Sequence, residues 1–225
     1  METTSEKSRW TRVGDWFDER FDVRIPLEAF LKKPVPKHAI RWYFCLGGIT
    51  FALFMIQGVT GILLSLYYKP TPSEAYESIL FIMNNVRFGW LIRSIHSWSS
   101  TLMIAFCVAH MLRVFITGSY KKPRELNWVA GVFLLIVTLA FGFTGYLLPW
   151  DQKALWGSTV GSEILGIVPL IGDWLLGLLR GGAEITGLTL TRFYGIHMLV
   201  LPLLCFIFLA FHFVIIRRQG ISGPL

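Results

Sequence analysis

Long apolar runs alternate with polar breaks along the chain, and four of the runs are long enough to cross a bilayer. A hydrocarbon core about 30 Å thick takes about 20 apolar residues in a helix. Residues 44–68, 97–116, 127–148 and 193–216, here spans A to D, meet that length. The runs are continuous and lack the ten-residue apolar and polar alternation of a membrane barrel, so strands are excluded in favour of a helical bundle. Before span A, residues 10–31 place Val13, Trp16, Phe17 and Phe21 at helical spacing among charges. That is the pattern of an amphipathic helix lying on a membrane surface. The connection between C and D, residues 149–192, is too long for a structureless loop and carries an apolar, Gly-rich run at 164–179. It is expected to fold as one or two short helices on the outer face. The expected fold class is therefore all-α: an integral membrane four-helix bundle at 44–225, preceded by an N-terminal segment at 1–43.

Composition sharpens this picture. With 54% hydrophobic and 16% charged residues, the chain is more apolar than an ordinary soluble domain. The excess of 21 Lys+Arg over 14 Asp+Glu lies between the apolar runs rather than in one patch. It therefore argues for membrane topology and against nucleic-acid binding. The N-terminal segment holds nine basic residues, the B–C connection Lys121, Lys122 and Arg124, and the tail Arg217 and Arg218. The opposite side holds six, in longer loops. By the positive-inside rule both termini face the cytoplasm or an equivalent negative side. No apolar stretch with a small-residue cleavage site opens the chain, so no cleaved signal peptide is expected. Cys45, Cys107 and Cys205 are too few for a disulfide framework.

The chemistry lies in the histidines. An imidazole is costly in hydrocarbon, and spans B and D hold His96, His110, His197 and His212. His96 and His110 are 14 residues apart, about 21 Å along a helix. In a supercoiled bundle with about 3.5 residues per turn that is a whole number of turns, so both rings leave one seam. His197 and His212 are 15 apart, about 22 Å. Spans B and D run parallel, which puts His96 level with His197 near the outer face and His110 level with His212 near the inner face. Two imidazoles at one level can serve as axial ligands of a haem iron within a bundle. Gly47 and Gly61 in span A, and Gly131 and Gly145 in span C, recur at the same 14-residue interval. Such positions let a flat ring pass between helices. Interhelical hydrogen bonding by single histidines and ordinary close packing at single glycines are the plain alternatives, but neither calls for a shared interval. Two histidines alone underfill a zinc or non-haem iron shell.

Haem propionates need donors or counter-ions. Arg93 and Arg113 each stand three residues from a histidine, one helical turn away, where snorkelling to lipid phosphate is the competing role. Gln57, at membrane depth in span A, could donate to an outer propionate or to a neighbouring helix. Asp151 could accept a proton, although a helix cap is the better reading.

The segments FCLGGITF, RSIHSWSS, KKPREL, GFTGYLLPWDQ, TLTRFYGIHMLVLPLL and RRQGISGPL together resemble the cytochrome b family of quinol-oxidising bc-type complexes, most closely its short, split, b6-type form. The resemblance runs from about Trp42 to the C-terminus. It implies an outer low-potential haem b on His96 and His197 and an inner higher-potential haem b on His110 and His212. The 14 and 15 intervals are those of the split form. By the same resemblance Cys45 carries a third, covalently attached c-type haem through one thioether, with Arg217 helping to hold its propionates.

The glutamate motif PEWY of the family's outer quinol site is missing from this chain, which implies a partner three-helix subunit that carries it. Residues 149–152, PWDQ, and the C–D helices would line the rest of that site. A Rieske iron–sulfur protein, a c-type cytochrome, quinol and quinone, surrounding lipid and a homodimeric complex complete the implied assembly, in a cell inner membrane or a thylakoid-type membrane. The expected function is electron transfer across the membrane between quinol oxidation outside and quinone reduction inside, contributing to proton translocation. A dihaem membrane anchor of a dehydrogenase or hydrogenase, and a haem-free proton-coupled transporter using the histidines as a relay, are the alternative functions.

Overall fold

A computed structural model describes residues 8–21, 32, 34, 36–37 and 41–222. Residues 22–31 of the expected amphipathic stretch lie outside the described residues. Helix α1 spans Arg9–Phe21, and a 3-10 turn at Trp42–Phe44 leads into α2, Leu46–Ser65. Helix α3 spans Ala75–Asn84, α4 Gly89–Ile116, α5 Glu125–Leu147, α6 Gln152–Gly166 and α7 Gly172–Arg180. The last span is composite: α8 at Gly187–Gly195, a π-turn at Ile196–Val200, and α9 at Leu201–Gln219. Among the described residues, four helices are long and apolar enough to cross a membrane: α2, α4, α5 and the composite of 33 residues from Gly187 to Gln219.

The bundle consists of two antiparallel pairs, α2 against α4 and α5 against α9, with α4 and α5 adjoining. Helices apolar all round suit a lipid surround, and large side chains such as Val59, Ile62, Leu203 and Phe206 stand exposed on the perimeter. The core is a short apolar layer halfway along the bundle: Phe54, Met103, Leu134, Val137, Leu201 and Cys205, backed by Phe141 and Phe208. Each span contributes to this layer between its two histidine or glycine positions. The two histidine levels are thereby separated by close-packed hydrocarbon and aromatic rings.

The ends of the bundle are tied by polar contacts. At the end that carries α1 and the C-terminal residues, here the terminal end, Phe21 packs on Phe211. Gln219 Nε2 donates to the backbone oxygens of Arg20 and Pro123, at 2.6 and 2.8 Å. Arg20, itself buried, lies over the Trp16 ring and pairs with Glu125 at 3.1 Å. Glu19 meets Lys122 at 3.0 Å, and this bond holds its carboxyl below the ordinary range. Helix α1 is therefore docked on the bundle as well as amphipathic, because its polar residues have partners in the α4–α5 loop and the end of α9.

At the far end, Tyr68 donates to Leu148 O at 2.6 Å, joining α2 to α5. The connection between the third and fourth spans, expected to fold as one or two short helices, folds as α6 and α7. Buried Arg180 holds them by donating to Ser162 Oγ, Thr159 O and Ala183 O. Asp151 caps α6, its carboxylate accepting from Ala154 N–H at 2.8 Å. The cap, and not the proton acceptor, is the role its geometry gives.

Two stretches differ from the reading of the sequence. Helix α4 begins at Gly89, eight residues before the expected start of span B, because Arg93, Ser94 and His96 interrupt the hydropathy without interrupting the helix. The loop between the first two spans contains α3, whose Ala75 and Ile82 are fully buried. Gly89 permits that packing, since a Cβ there would fall 1.9 Å from Ile82 O.

Candidate metal centres

The four histidines meet in two pairs. His96 and His197 approach with ring centroids 6.5 Å apart and planes at 66°. His110 and His212 do so at the terminal end, also at 6.5 Å, with planes at 84°. An imidazole–metal bond of about 2.0–2.1 Å, with the ring centroid about 1.1 Å behind the nitrogen, puts two rings on one ion with centroids about 6.3 Å apart. Both pairs stand near the separation that two rings on one metal would need. Among the described residues no group of three or more His, Cys, Asp or Glu gathers into a metal site. Pairs of this kind suit a metal whose remaining ligands come from a macrocycle.

Each ring also faces a glycine across the helix pair. A Cβ at Gly61 would lie 3.3 Å from the His96 ring, and at Gly47 3.0 Å from the His110 ring. At Gly145 it would lie 2.8 Å from the His197 ring, and at Gly131 3.8 Å from the His212 ring. The 14-residue glycine interval read from the sequence thus falls at the two histidine levels. Side chains at these positions would fill the space against the rings, so the chain is cut away where a planar group would pass.

The unequal histidine intervals have a local cause. His197 sits in the π-turn, where Leu201 N–H bonds Ile196 O, a five-residue step in place of the α-helical four. A π-turn inserts one residue into a helix without changing the direction of the flanking segments. Pro202 follows directly. In a regular helix its ring would clash with the carbonyl four residues back, at a cost of about 3 kcal/mol, and the wider turn relieves that clash. The fifteenth residue is absorbed here, and His197 and His212 keep the phase that His96 and His110 have on α4.

The two levels differ in how the rings are oriented. Thr60 Oγ1 lies 2.8 Å from His96 Nδ1, and Thr144 Oγ1 lies 2.9 Å from His197 Nδ1. Both hydroxyls donate their own proton to a backbone carbonyl one turn earlier, Ile56 O at 2.6 Å and Ala140 O at 2.7 Å. Their oxygens are left to accept, so Nδ1 carries the hydrogen and Nε2 keeps the lone pair a metal needs. Gln57, on the same helix as Thr60, donates to His96 O and Ser99 Oγ, both at 2.6 Å. Both amide protons thus serve the neighbouring helix rather than an outer propionate. At the terminal level, His110 Nδ1 and His212 Nδ1 are buried without a hydrogen-bond partner, although the Asn127 backbone approaches His212.

Around that terminal pair lies a cavity of about 300 Å³, lined among others by Gly47, Gly131, His110, His212, Arg113 and Arg124. The Arg113 guanidinium lies 4.8 Å above the Phe44 ring, and the Nε atoms of Arg113 and Arg124 are buried without acceptors. Two half-buried cations lining a histidine-lined cavity suit the carboxylates of a haem. Arg93, the far-end counterpart of Arg113, contacts Met83 Sδ at 3.7 Å. Arg217 is half-buried in the last turn of α9. Cys45 stands exposed at the N-cap of α2, its Sγ 3.8 Å from Arg41 O, two residues from Gly47 and the terminal-level cavity.

The family model described as Cytochrome b/b6/petB matches residues 30–220. The chain belongs to the cytochrome b/b6 family. Curated relatives include the protein named cytochrome b6 of Synechococcus elongatus, 49% identical over 214 residues, covering 95% of this chain and 99% of the relative. The cytochrome b6 of Euglena gracilis is 49% identical over 215 residues, covering 96% of this chain and all of the relative. Among solved structures, a chain of a hyperthermophilic respiratory complex III matches with a TM-score of 0.79 and 33% identity, over 93% of this chain. This chain spans 56% of that longer chain.

The histidine pairs and glycines were legible in the sequence, whereas Thr60, Thr144 and Arg124 were not singled out. The signal for the threonines was present: GVTG at 58–61 and GFTG at 142–145 are the same motif in the first and third spans. In each, threonine directly precedes the glycine that faces a histidine.

Proposed function

We infer that this chain is the haem-b subunit of a bc-type quinol oxidoreductase and holds two haem b groups between its second and fourth spans. The observation that carries the reading is the repeated unit of two imidazoles at 6.5 Å, each facing a glycine, at two levels of a membrane bundle. His96 and His197 are the ligands of one haem, and His110 and His212 those of the other. When bound, the two haems supply one-electron transfer between a quinol oxidised at one membrane face and a quinone reduced at the other. The chain's own residues fix the ligand rings, keep water out through the apolar layer around Phe54 and Leu201, and neutralise carboxylates through Arg113 and Arg124. The ligand pairs disfavour a haem-free transporter relay, and the full-length similarity to the cytochrome b/b6 family favours the bc-type reading over a dihaem dehydrogenase anchor, which would use the same pairs.

The basic residues favour placing the terminal end at the cytoplasmic or equivalent negative side, which makes His110 and His212 the inner pair and His96 and His197 the outer pair. Cys45 is the proposed thioether attachment point of a further, c-type haem. In support, its thiol is exposed at the terminal end beside the inner level, outside the closed bundle, where a macrocycle can lie against α2 with Arg217 near its carboxylates. The similarity to b6-type relatives over their whole length favours a three-helix partner subunit that completes the outer quinol site with α6 and α7, and a Rieske iron–sulfur protein and a c-type cytochrome as electron acceptors in a dimeric complex.

The attachment is tested on the purified complex by haem staining of denaturing gels after acid–acetone extraction. Staining of this subunit that disappears in Cys45→Ala, with both b-type bands retained, is the expected result. A wild-type band that does not stain would remove the third haem from the reading.

A further inference from the structure

We propose that Thr60 and Thr144 make the outer haem harder to reduce than the inner one, by accepting a hydrogen bond from Nδ1 of each outer ligand. The proposal rests on the dihaem reading above. Its basis is an asymmetry between two levels that share equal ring separations and a glycine facing every ring. At the outer level the residue before each glycine is threonine, and its oxygen stands 2.8 or 2.9 Å from Nδ1. At the inner level the residues before Gly47 and Gly131 are Leu46 and Ala130, both buried, and neither can accept a hydrogen bond through its side chain.

The direction follows from the chemistry of the bond. Each threonine proton is committed to the carbonyl of Ile56 or Ala140, so the threonine oxygen can only accept from the ring. A hydrogen bond accepted from Nδ1–H draws that proton outward and adds electron density at Nε2, which makes the ring a stronger donor to the metal. Stronger donation favours the more positive, oxidised iron and lowers the reduction potential. Neither inner ring has a side-chain acceptor: His110 Nδ1 is buried and unpaired, and His212 is approached only by the Asn127 backbone. The threonines act through the ligands and are positioning residues. The GxTG repeat of the first and third spans gives the outer haem two of these bonds, one per ligand, with no side-chain counterpart at the inner level.

The test is a potentiometric titration of the intact purified complex, followed through the two b-type bands, in Thr60→Val, Thr144→Val, the matching serine variants and Ala130→Thr. Valine keeps the shape of threonine without the hydroxyl, and serine restores the oxygen. Each valine substitution is expected to favour reduction of the outer haem by about tenfold, 59 mV for one electron, with the inner haem unmoved and the serine variant close to wild type. Ala130→Thr puts a hydroxyl where Thr144 stands relative to its glycine and is expected to make the inner haem harder to reduce. Because it adds a bond rather than removing one, it decides the matter even where a valine variant loses its outer haem. An outer potential unchanged in both valine variants, equal shifts of both haems, or an inner potential unmoved in Ala130→Thr would each overturn the proposal. Absence of two b-type bands from the wild-type complex would instead overturn the dihaem reading beneath it.

Discussion

At the scale of single residues, the site depends on what is left out as much as on what is present. Four glycines face four imidazoles, and the margins differ: an added Cβ would come to 2.8 Å of the His197 ring from Gly145 but only to 3.8 Å of the His212 ring from Gly131. The first is below any ordinary contact and faces a ring fixed by Thr144. The second is ordinary van der Waals distance. Gly145→Ala is therefore expected to lose outer haem, to less than half the wild-type content per complex by pyridine haemochromogen assay, while Gly131→Ala keeps near-normal inner haem. The reverse order would contradict the facing arrangement. The histidines and glycines were readable because each is conspicuous in hydrocarbon, one as a costly polar ring and the other as a missing side chain. Threonine is neither, since it commonly bonds its own helix backbone, and its second role appears only when a ring from another helix comes into reach.

At the scale of elements, the π-turn and Pro202 reconcile two intervals that an ideal helix would set out of phase. One residue turns an α-helix by about 100°, enough to aim a ring at lipid instead of at its partner. Removing Leu199, which lies within the π-turn, should convert it to regular helix and preserve both haems. Removing Ile207, beyond it, leaves the turn in place and should rotate one histidine out of the bundle with loss of one b-type band. Equal outcomes for the two deletions in reduced-minus-oxidised spectra would show that the turn does not set the phase. Hydropathy located all four spans, but it opened α4 late and left out α3, because an average over a window discounts Arg93 and His96 and registers no helix that is short and half polar. The π-turn was visible only as an odd interval, 15 against 14, whose meaning needed the backbone.

At the scale of the whole molecule, two antiparallel helix pairs hold two histidine levels about 21 Å apart, separated by the apolar layer of Phe54, Met103, Leu134, Val137, Leu201 and Cys205. Helix α1 is clasped to one end by Arg20, Glu125 and Gln219, and α6 and α7 are held at the other by Arg180. The pairing of ligands across spans is the central claim, and alanine substitution of the histidines with spectroscopy of the purified complex tests it most directly. The wild type should show two b-type haems per chain. His96→Ala and His197→Ala should remove the same one, and His110→Ala and His212→Ala the other. A wild-type spectrum without b-type bands, or loss of one haem common to His96→Ala and His212→Ala, would contradict it.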